Sequence, residues 1–171
     1  MNARFTLNFL KQRGLLLTLL GSVFILTAAV AYEKITGLLP CPLCWLQRGV
    51  FVGFFVLSLV ALALNATGLL NRLAPMRWLL MLAFALVAVT GVGIALRHLY
   101  IKLNPSSVGC GLDVETLLDF FPLLEALNQM LIGTSDCAQA ANLMALPLPV
   151  WSLLGYLVLA SLAFYSLLRP R

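Results

Sequence analysis

Charge is scarce in these 171 residues: Asp, Glu, Lys and Arg together make up 10%, where soluble domains carry about 25%. With 62% of the chain apolar, against an ordinary share of about 45–50%, a soluble globule is excluded and so is disorder. Acids are scarcest, six against eleven basic residues, so the net charge of +5 reflects missing acids rather than an added basic patch. No Lys/Arg stripe interleaved with aromatics is present, which argues against a nucleic-acid partner. Histidine occurs once, as His98. Trp45 rather than His follows Cys44, so a c-type haem attachment is out, and no iron–sulfur ligation pattern exists. Internal repeats and low-complexity tracts are missing too.

What the chain does have is length without charge. Four uncharged runs, Gly14–Ala31, Gly49–Leu70, Trp78–Leu96 and Ala138–Leu168, dominate it. A helix needs about 20 residues to cross a hydrocarbon core about 30 Å thick. Backbone groups in lipid must be satisfied within their own segment, and the runs lack the strict alternation of barrel strands, so they read as helices. The expected fold is an all-α membrane protein, one four-helix transmembrane bundle over residues 1–171 with spans near 14–31, 47–66, 78–97 and 148–168.

Orientation follows from the charges. Arg4, Lys11 and Arg13 precede the first span, Arg72 and Arg77 link the second to the third, and Arg169 and Arg171 follow the fourth, with no acid on that side. Glu33, Asp113, Glu115, Asp119, Glu125 and Asp136 share the other side with Lys34, Arg48, Arg97 and Lys102. The positive-inside rule therefore puts both termini in the cytoplasm and loops near 32–46 and 98–147 in the periplasm. Ala29-Val30-Ala31 imitates a signal-peptide cleavage site, but the uncharged run that it ends has 18 residues, longer than an h-region of about 7–15. Its removal would also leave three spans with an unbalanced charge pattern. Asn65-Ala66-Thr67 has the form of a glycosylation acceptor but falls on the cytoplasmic side.

The second outer loop is too long for a plain connection. Leu117, Leu118, Phe121, Leu124, Leu127 and Leu131 recur at helical spacing within Glu115–Leu131, predicting a short amphipathic helix that lies on the membrane surface or packs on the bundle. Pro122 breaks or kinks it. Gly49-x-x-x-Gly53 predicts close helix approach on the second span.

Four cysteines carry the chemistry. Cys41 and Cys44 form C-P-L-C, and Cys110 and Cys137 stand in the long loop with 26 residues between them. An even number of outward-facing cysteines implies an oxidising compartment and two disulfides; of three pairings, spacing favours 41–44 with 110–137 without fixing it. A C-x-x-C disulfide closes a short, strained loop that exchanges readily, which suits a redox role better than a structural one. Metal binding is the rival reading. No second tight ligand pair repeats C-x-x-C, although His98 is available to supplement it, so no metal site is expected.

C-P-L-C sits where the outer loop enters the second span. Cys44 therefore belongs to the first helical turn, whose positive dipole end favours a thiolate. Arg48, four residues on, shares its face; it is either a snorkelling anchor or a partner for that thiolate and for a polar ligand. His98, at the outer end of the third span, is either structural or a second contact to the same ligand. Electrons leaving a disulfide at the membrane surface, with no haem or cluster to receive them, need a lipid-soluble two-electron acceptor. A quinone meets both demands.

Cys41-Pro42-Leu43-Cys44-Trp45-Leu46-Gln47-Arg48, His98 twelve residues before Cys110, Asn104-Pro105-Ser106 leading to that cysteine, and Ser135-Asp136-Cys137-Ala138 before the last span together resemble the disulfide bond formation protein B (DsbB) family. The resemblance runs in order over nearly the whole chain. It implies a four-helix inner-membrane enzyme that reoxidises DsbA, a periplasmic thioredoxin-fold oxidase, and reduces ubiquinone, the relay that keeps the bacterial periplasm oxidising. It further implies that Cys41 and Cys44 are the quinone-coupled pair, Cys110 and Cys137 the pair presented to the DsbA-like partner, and Arg48 a quinone contact, with His98 matched less closely. The stretch between Cys110 and Cys137 matches weakly, which leaves the choice among DsbA-like partners open. A vitamin K epoxide reductase-like protein also joins C-x-x-C, a helical bundle and quinone, but carries its pair near the end of the bundle. A non-enzymatic protein whose cysteines staple loops or bind metal is the alternative from another class.

Overall fold

The computed structural model describes residues 3–37, 39–139, 142–143 and 146–168, with side chains from Arg13 onward except those of Asn71 and Leu143. Arg169 and Arg171, which enter the charge count above, lie outside the described residues, as do the side chains of Arg4 and Lys11. Among the described residues, four helices are long and apolar enough to cross a membrane: α1 (Ala3–Thr36), α2 (Pro42–Ala66), α4 (Ala74–Leu103) and α8 (Leu148–Leu168), with a one-turn helix α3 (Leu69–Arg72) between the second and third. The chain is a multi-pass four-helix membrane bundle. α1 packs on α2 and α8, and α4 packs on α2 and α8, closing a ring of four contacts. At 21 residues, even the shortest member reaches about 31 Å at 1.5 Å per residue.

Local chemistry sets the ends. Cys41 caps α2 and Pro42 follows at its first turn, where a missing N–H costs nothing. Gly37, at φ +68°, ends α1 by donating its N–H to Glu33 O at 2.8 Å. Asn104 stops α4 because Pro105 disfavours helical backbone in the residue before it. The helices thus overrun the uncharged runs: α4 carries His98 inside it, and α2 begins at the C-P-L-C motif. The run Ala138–Leu168 behaves oppositely. Its first part makes a two-residue antiparallel pair, Asn142–Leu143 with Leu146–Pro147, and α8 begins only at Leu148.

The core is a seam of aromatics and small residues. Tyr156 of α8 packs on Phe51 and Phe54 of α2, ring centroids 4.6 and 6.3 Å apart, and Phe54 meets Phe84 of α4 at 6.1 Å. Of the Gly49-x-x-x-Gly53 pair only Gly53 is a contact point, since a Cβ there would stand 3.3 Å from Val87 while one at Gly49 would meet open space. The tighter approach is at Gly91, where a Cβ would lie 2.7 Å from Val50 and 3.0 Å from the Tyr156 ring.

Among the described residues, the long segment between α4 and α8 holds a 3₁₀ turn (Pro105–Ser107) and three short helices, α5 (Val114–Phe120), α6 (Leu123–Ile132) and α7 (Ser135–Ala138). The single amphipathic helix expected over Glu115–Leu131 is two, divided at Pro122 as its chemistry requires. Asp113 caps α5 through Thr116, and the hydrogen bonds from that threonine hold its carboxyl below the usual range. Val114, Leu117, Ala126 and Met130 form a small separate core against Leu46. Leu123, Leu124 and Leu127 remain exposed on the other face of α6.

Candidate active site

The sequence motifs converge at one end of the bundle, where α2 begins and α4 ends. Cys41, buried at the cap of α2, has its Sγ 2.9 Å from that of Cys44, and the same sulfur accepts from the Cys44 backbone N–H at 3.4 Å. Cys44 is half-buried in the first turn of α2. Cys137 arrives from the other loop: α7 buries it completely, and its Sγ, Cys41 Sγ and a ring nitrogen of His98 all lie within 4.8 Å of one another. Cys110 stays outside this cluster, exposed. Cys137 thus stands beside Cys41 in the buried cluster, with Cys110 exposed outside it.

Two contacts lock α7 there. Gly133, at φ +82° and ψ +166°, ends α6 in a backbone region open essentially to glycine alone. A Cβ at Gly133 would also lie 2.5 Å from Ile101 and 3.1 Å from Leu43. Next to it, a Cβ at Gly111 would strike Thr134 at 2.2 Å, and the Ser135 N–H donates to Gly109 O at 3.0 Å, so the Cys110 segment lies along the start of α7.

His98 is fully buried on α4. Its Nε2 is 3.1 Å from Cys137 O and 3.9 Å from Cys41 Sγ, and its Nδ1 is 3.2 Å from Gln47 Nε2. The Ser152 hydroxyl donates to Gln47 Oε1 at 2.9 Å, so the Gln47 amide donates to Nδ1 and the imidazole is left to donate from Nε2 to the Cys137 carbonyl. Tyr156 adds an O–H bond of 3.0 Å to Gln47 O. A chain of polar groups from α8 through α2 and α4 thus ends on the residue that carries Cys137. Sequence reasoning missed Gln47 and Ser152, although a lone amide inside C-P-L-C-W-L-Q-R, at the mouth of an apolar span, is the kind of group that must find partners.

Arg48 lies one turn along α2 from Cys44 and points to α1, where its Nη1 pairs with Glu33 Oε2 at 2.6 Å and its Nη2 donates to Ala29 O at 3.3 Å. Both side chains are about a quarter exposed. Glu33 entered the sequence only as a charge and not as a partner for Arg48; it lies near the end of α1, 15 residues before Arg48, and only the α1–α2 packing brings them together.

The thiols differ in their readiness to ionise. The Cys137 hydrogen bond pulls Cys41 down, but hydrogen bonding to Cys44 and burial outweigh it and push Cys41 up to about 12. Hydrogen bonding to Cys41 and burial likewise raise Cys137 above the ordinary thiol range.

A bundle of four apolar helices with vicinal cysteines at one end and a third cysteine delivered from a neighbouring loop has the outline of a membrane thiol–disulfide oxidoreductase. Comparison with known proteins sharpens this. The family model described as disulfide bond formation protein DsbB matches residues 11–166. Disulfide bond formation protein B of Alkalilimnicola ehrlichii is 43% identical over 162 residues, covering 95% of this chain and 96% of that protein. Its counterpart in Marinobacter nauticus is 35% identical over 157 residues, 87% and 90% of the two chains. Disulfide bond formation protein B 2 of Pseudomonas entomophila is 36% identical over 155 residues, 90% and 88% of the two. No solved structure matches the chain. The chain belongs to the DsbB family and is a disulfide-generating oxidoreductase.

Proposed function

We propose that the protein takes electrons from a DsbA-like periplasmic dithiol oxidase at Cys110–Cys137 and passes them through Cys41–Cys44 to a membrane quinone, ubiquinone being the species the family resemblance implies. The observation that carries this reading is the buried convergence of Cys137 on Cys41, beside an exposed Cys110.

The exchange balances bond by bond. A partner thiolate attacks Cys110 Sγ, breaks the Cys110–Cys137 bond and releases Cys137 as thiolate. Cys137 attacks Cys41 Sγ, and Cys44 leaves as thiolate at the N-terminus of α2, where the helix dipole stabilises it. The second partner thiolate attacks the partner sulfur of the mixed disulfide, oxidising the partner and freeing Cys110. Cys110 then attacks Cys137, restoring the loop disulfide and returning Cys41 as a thiol beside Cys44. A bound quinone supplies the sink for the two electrons and two protons that leave this pair as its disulfide re-forms. The residues fit such a ligand: a half-buried Cys44 and a partly exposed guanidinium stand one turn apart at the start of α2. Arg48 offers the hydrogen bond to its oxygen, while His98 holds Cys137 in position through the carbonyl.

The reading includes both termini in the cytoplasm, the cysteines facing the periplasm in the bacterial inner membrane, and the exposed leucines of α6 resting on the bilayer surface. Replacing Cys137 with Ser should trap the oxidised partner as a mixed disulfide on Cys110, whose free thiolate attacks the partner's disulfide, and Cys44→Ser should accumulate a Cys41–Cys137 bond, formed when Cys41 attacks the Cys110–Cys137 disulfide and releases Cys110 as thiolate. Partner trapped through Cys137 in Cys110→Ser, and not through Cys110 in the reciprocal variant, would reverse the assignment.

A further inference from the structure

We propose that the reduced protein holds a soft divalent cation, Zn(II) or its like, between Cys41, Cys137 and His98, and that the ion and the disulfide relay exclude one another. Ligand spacing alone argues against a metal site, since these ligands are separated by 57 and 39 positions and converge only in the fold. All three are buried, and their ligand atoms lie within 4.8 Å of one another. Tetrahedral Zn(II) with sulfur ligands at about 2.3 Å and imidazole nitrogen at about 2.0–2.1 Å places neighbouring ligand atoms about 3.6–3.8 Å apart. Cys41 Sγ and His98 Nε2 stand at 3.9 Å already. Cys44, whose sulfur is 2.9 Å from that of Cys41, or a water, completes the shell.

Charge and outer-shell chemistry favour the same ion. With water in the fourth position, two thiolates and a dication sum to zero, so the buried site carries no net charge, and binding releases the two thiol protons. Ligation through Nε2 moves the imidazole proton to Nδ1, which must then be accepted. Gln47 meets that need by turning its amide, presenting Oε1 to Nδ1–H while Ser152, donor or acceptor as required, takes the amide N–H. Oxidation of Cys41 to either disulfide removes a thiolate ligand, so only the reduced state binds. The site stands whether or not those thiols pass electrons to quinone.

The test uses the full chain in detergent micelles, reduced under anaerobic conditions and titrated with Co(II) and then Zn(II). We expect a single equivalent of Co(II) with thiolate charge-transfer absorption and a tetrahedral ligand-field band, both displaced by Zn(II) and both lost after oxidation of the cysteines. Cys137→Ser and His98→Gln should each weaken binding by at least roughly tenfold, and Cys110→Ser should leave the titration unchanged. On the unaltered protein, Zn(II) should shield Cys41 and Cys137 from maleimide while Cys110 stays reactive. A weak octahedral spectrum, Co(II) binding unchanged in Cys137→Ser, or no shielding in the unaltered protein would each overturn the site. None of those results touches the trapped disulfides that test the relay.

Discussion

Arg48 illustrates how one side chain serves two partners. Its Nη1 is committed to Glu33 and its Nη2 reaches the Ala29 carbonyl, which orients the guanidinium at the outer end of α2. Truncation in Arg48→Ala should weaken quinone use by about 1.5–3 kcal/mol, the range for a hydrogen bond to a charged group, or roughly ten- to a hundredfold in apparent affinity. Lys at this position should rescue only in part, because it lacks the planar fork. The check is the quinone concentration dependence of turnover; an unchanged profile would reduce Arg48 to a membrane anchor. Glu33→Gln should alter stability little, because partly exposed ion pairs contribute about 0–1 kcal/mol. Cys41 gives a second residue-scale prediction. A raised value means that the folded protein favours the thiol, so the thiolate fraction keeps climbing tenfold per pH unit up to about 12. Alkylation of reduced Cys41 should therefore still be accelerating above pH 9, the ordinary thiol value; a plateau there would show that the neighbours do not hold its proton.

At the scale of elements, the decisive joint is the corner between α6 and α7. Gly133 combines a glycine-only backbone with a contact on Ile101 and Leu43, so Gly133→Ala should destabilise the corner by about 1–3 kcal/mol from backbone strain alone. Thermal unfolding in detergent measures the loss, and the yield of the Cys41–Cys137 bond in a Cys44→Ser background should fall with it. Gly49 provides the contrast. Its Cβ would meet nothing within 4 Å, so Gly49→Ala should be neutral or stabilise α2 by about 0.5–1 kcal/mol through helix propensity. A loss at Gly49 equal to that at Gly133 would mean that helix packing, not the corner, governs stability. The break at Pro122 was legible in the sequence because proline acts locally. The corner was not, because nothing in the spacing of Gly133 tells which side chains of α2 and α4 stand opposite it.

For the whole molecule, the charge pattern makes a prediction about sidedness. A membrane-impermeant maleimide applied to intact, reduced spheroplasts should modify the exposed Cys110; labelling that appears only after lysis would invert the orientation. Composition and periodicity were enough to specify four spanning helices, the C-P-L-C entry to α2 and the acceptor class its chemistry requires, since lipid forces each apolar run to satisfy its own backbone. The ends of those helices were less legible, because polar residues such as His98 and Lys102 continue a helix without marking it. Which cysteine meets which was decided only in three dimensions. Cys41 and Cys137 are 96 residues apart in the chain, and their approach depends on α7 being wedged between α2 and α4. The same holds for Gln47 with His98 and for Glu33 with Arg48. A sequence by itself determines what each segment must bury; which buried groups then face one another follows from helix packing, where side chains distant along the chain share one desolvated space.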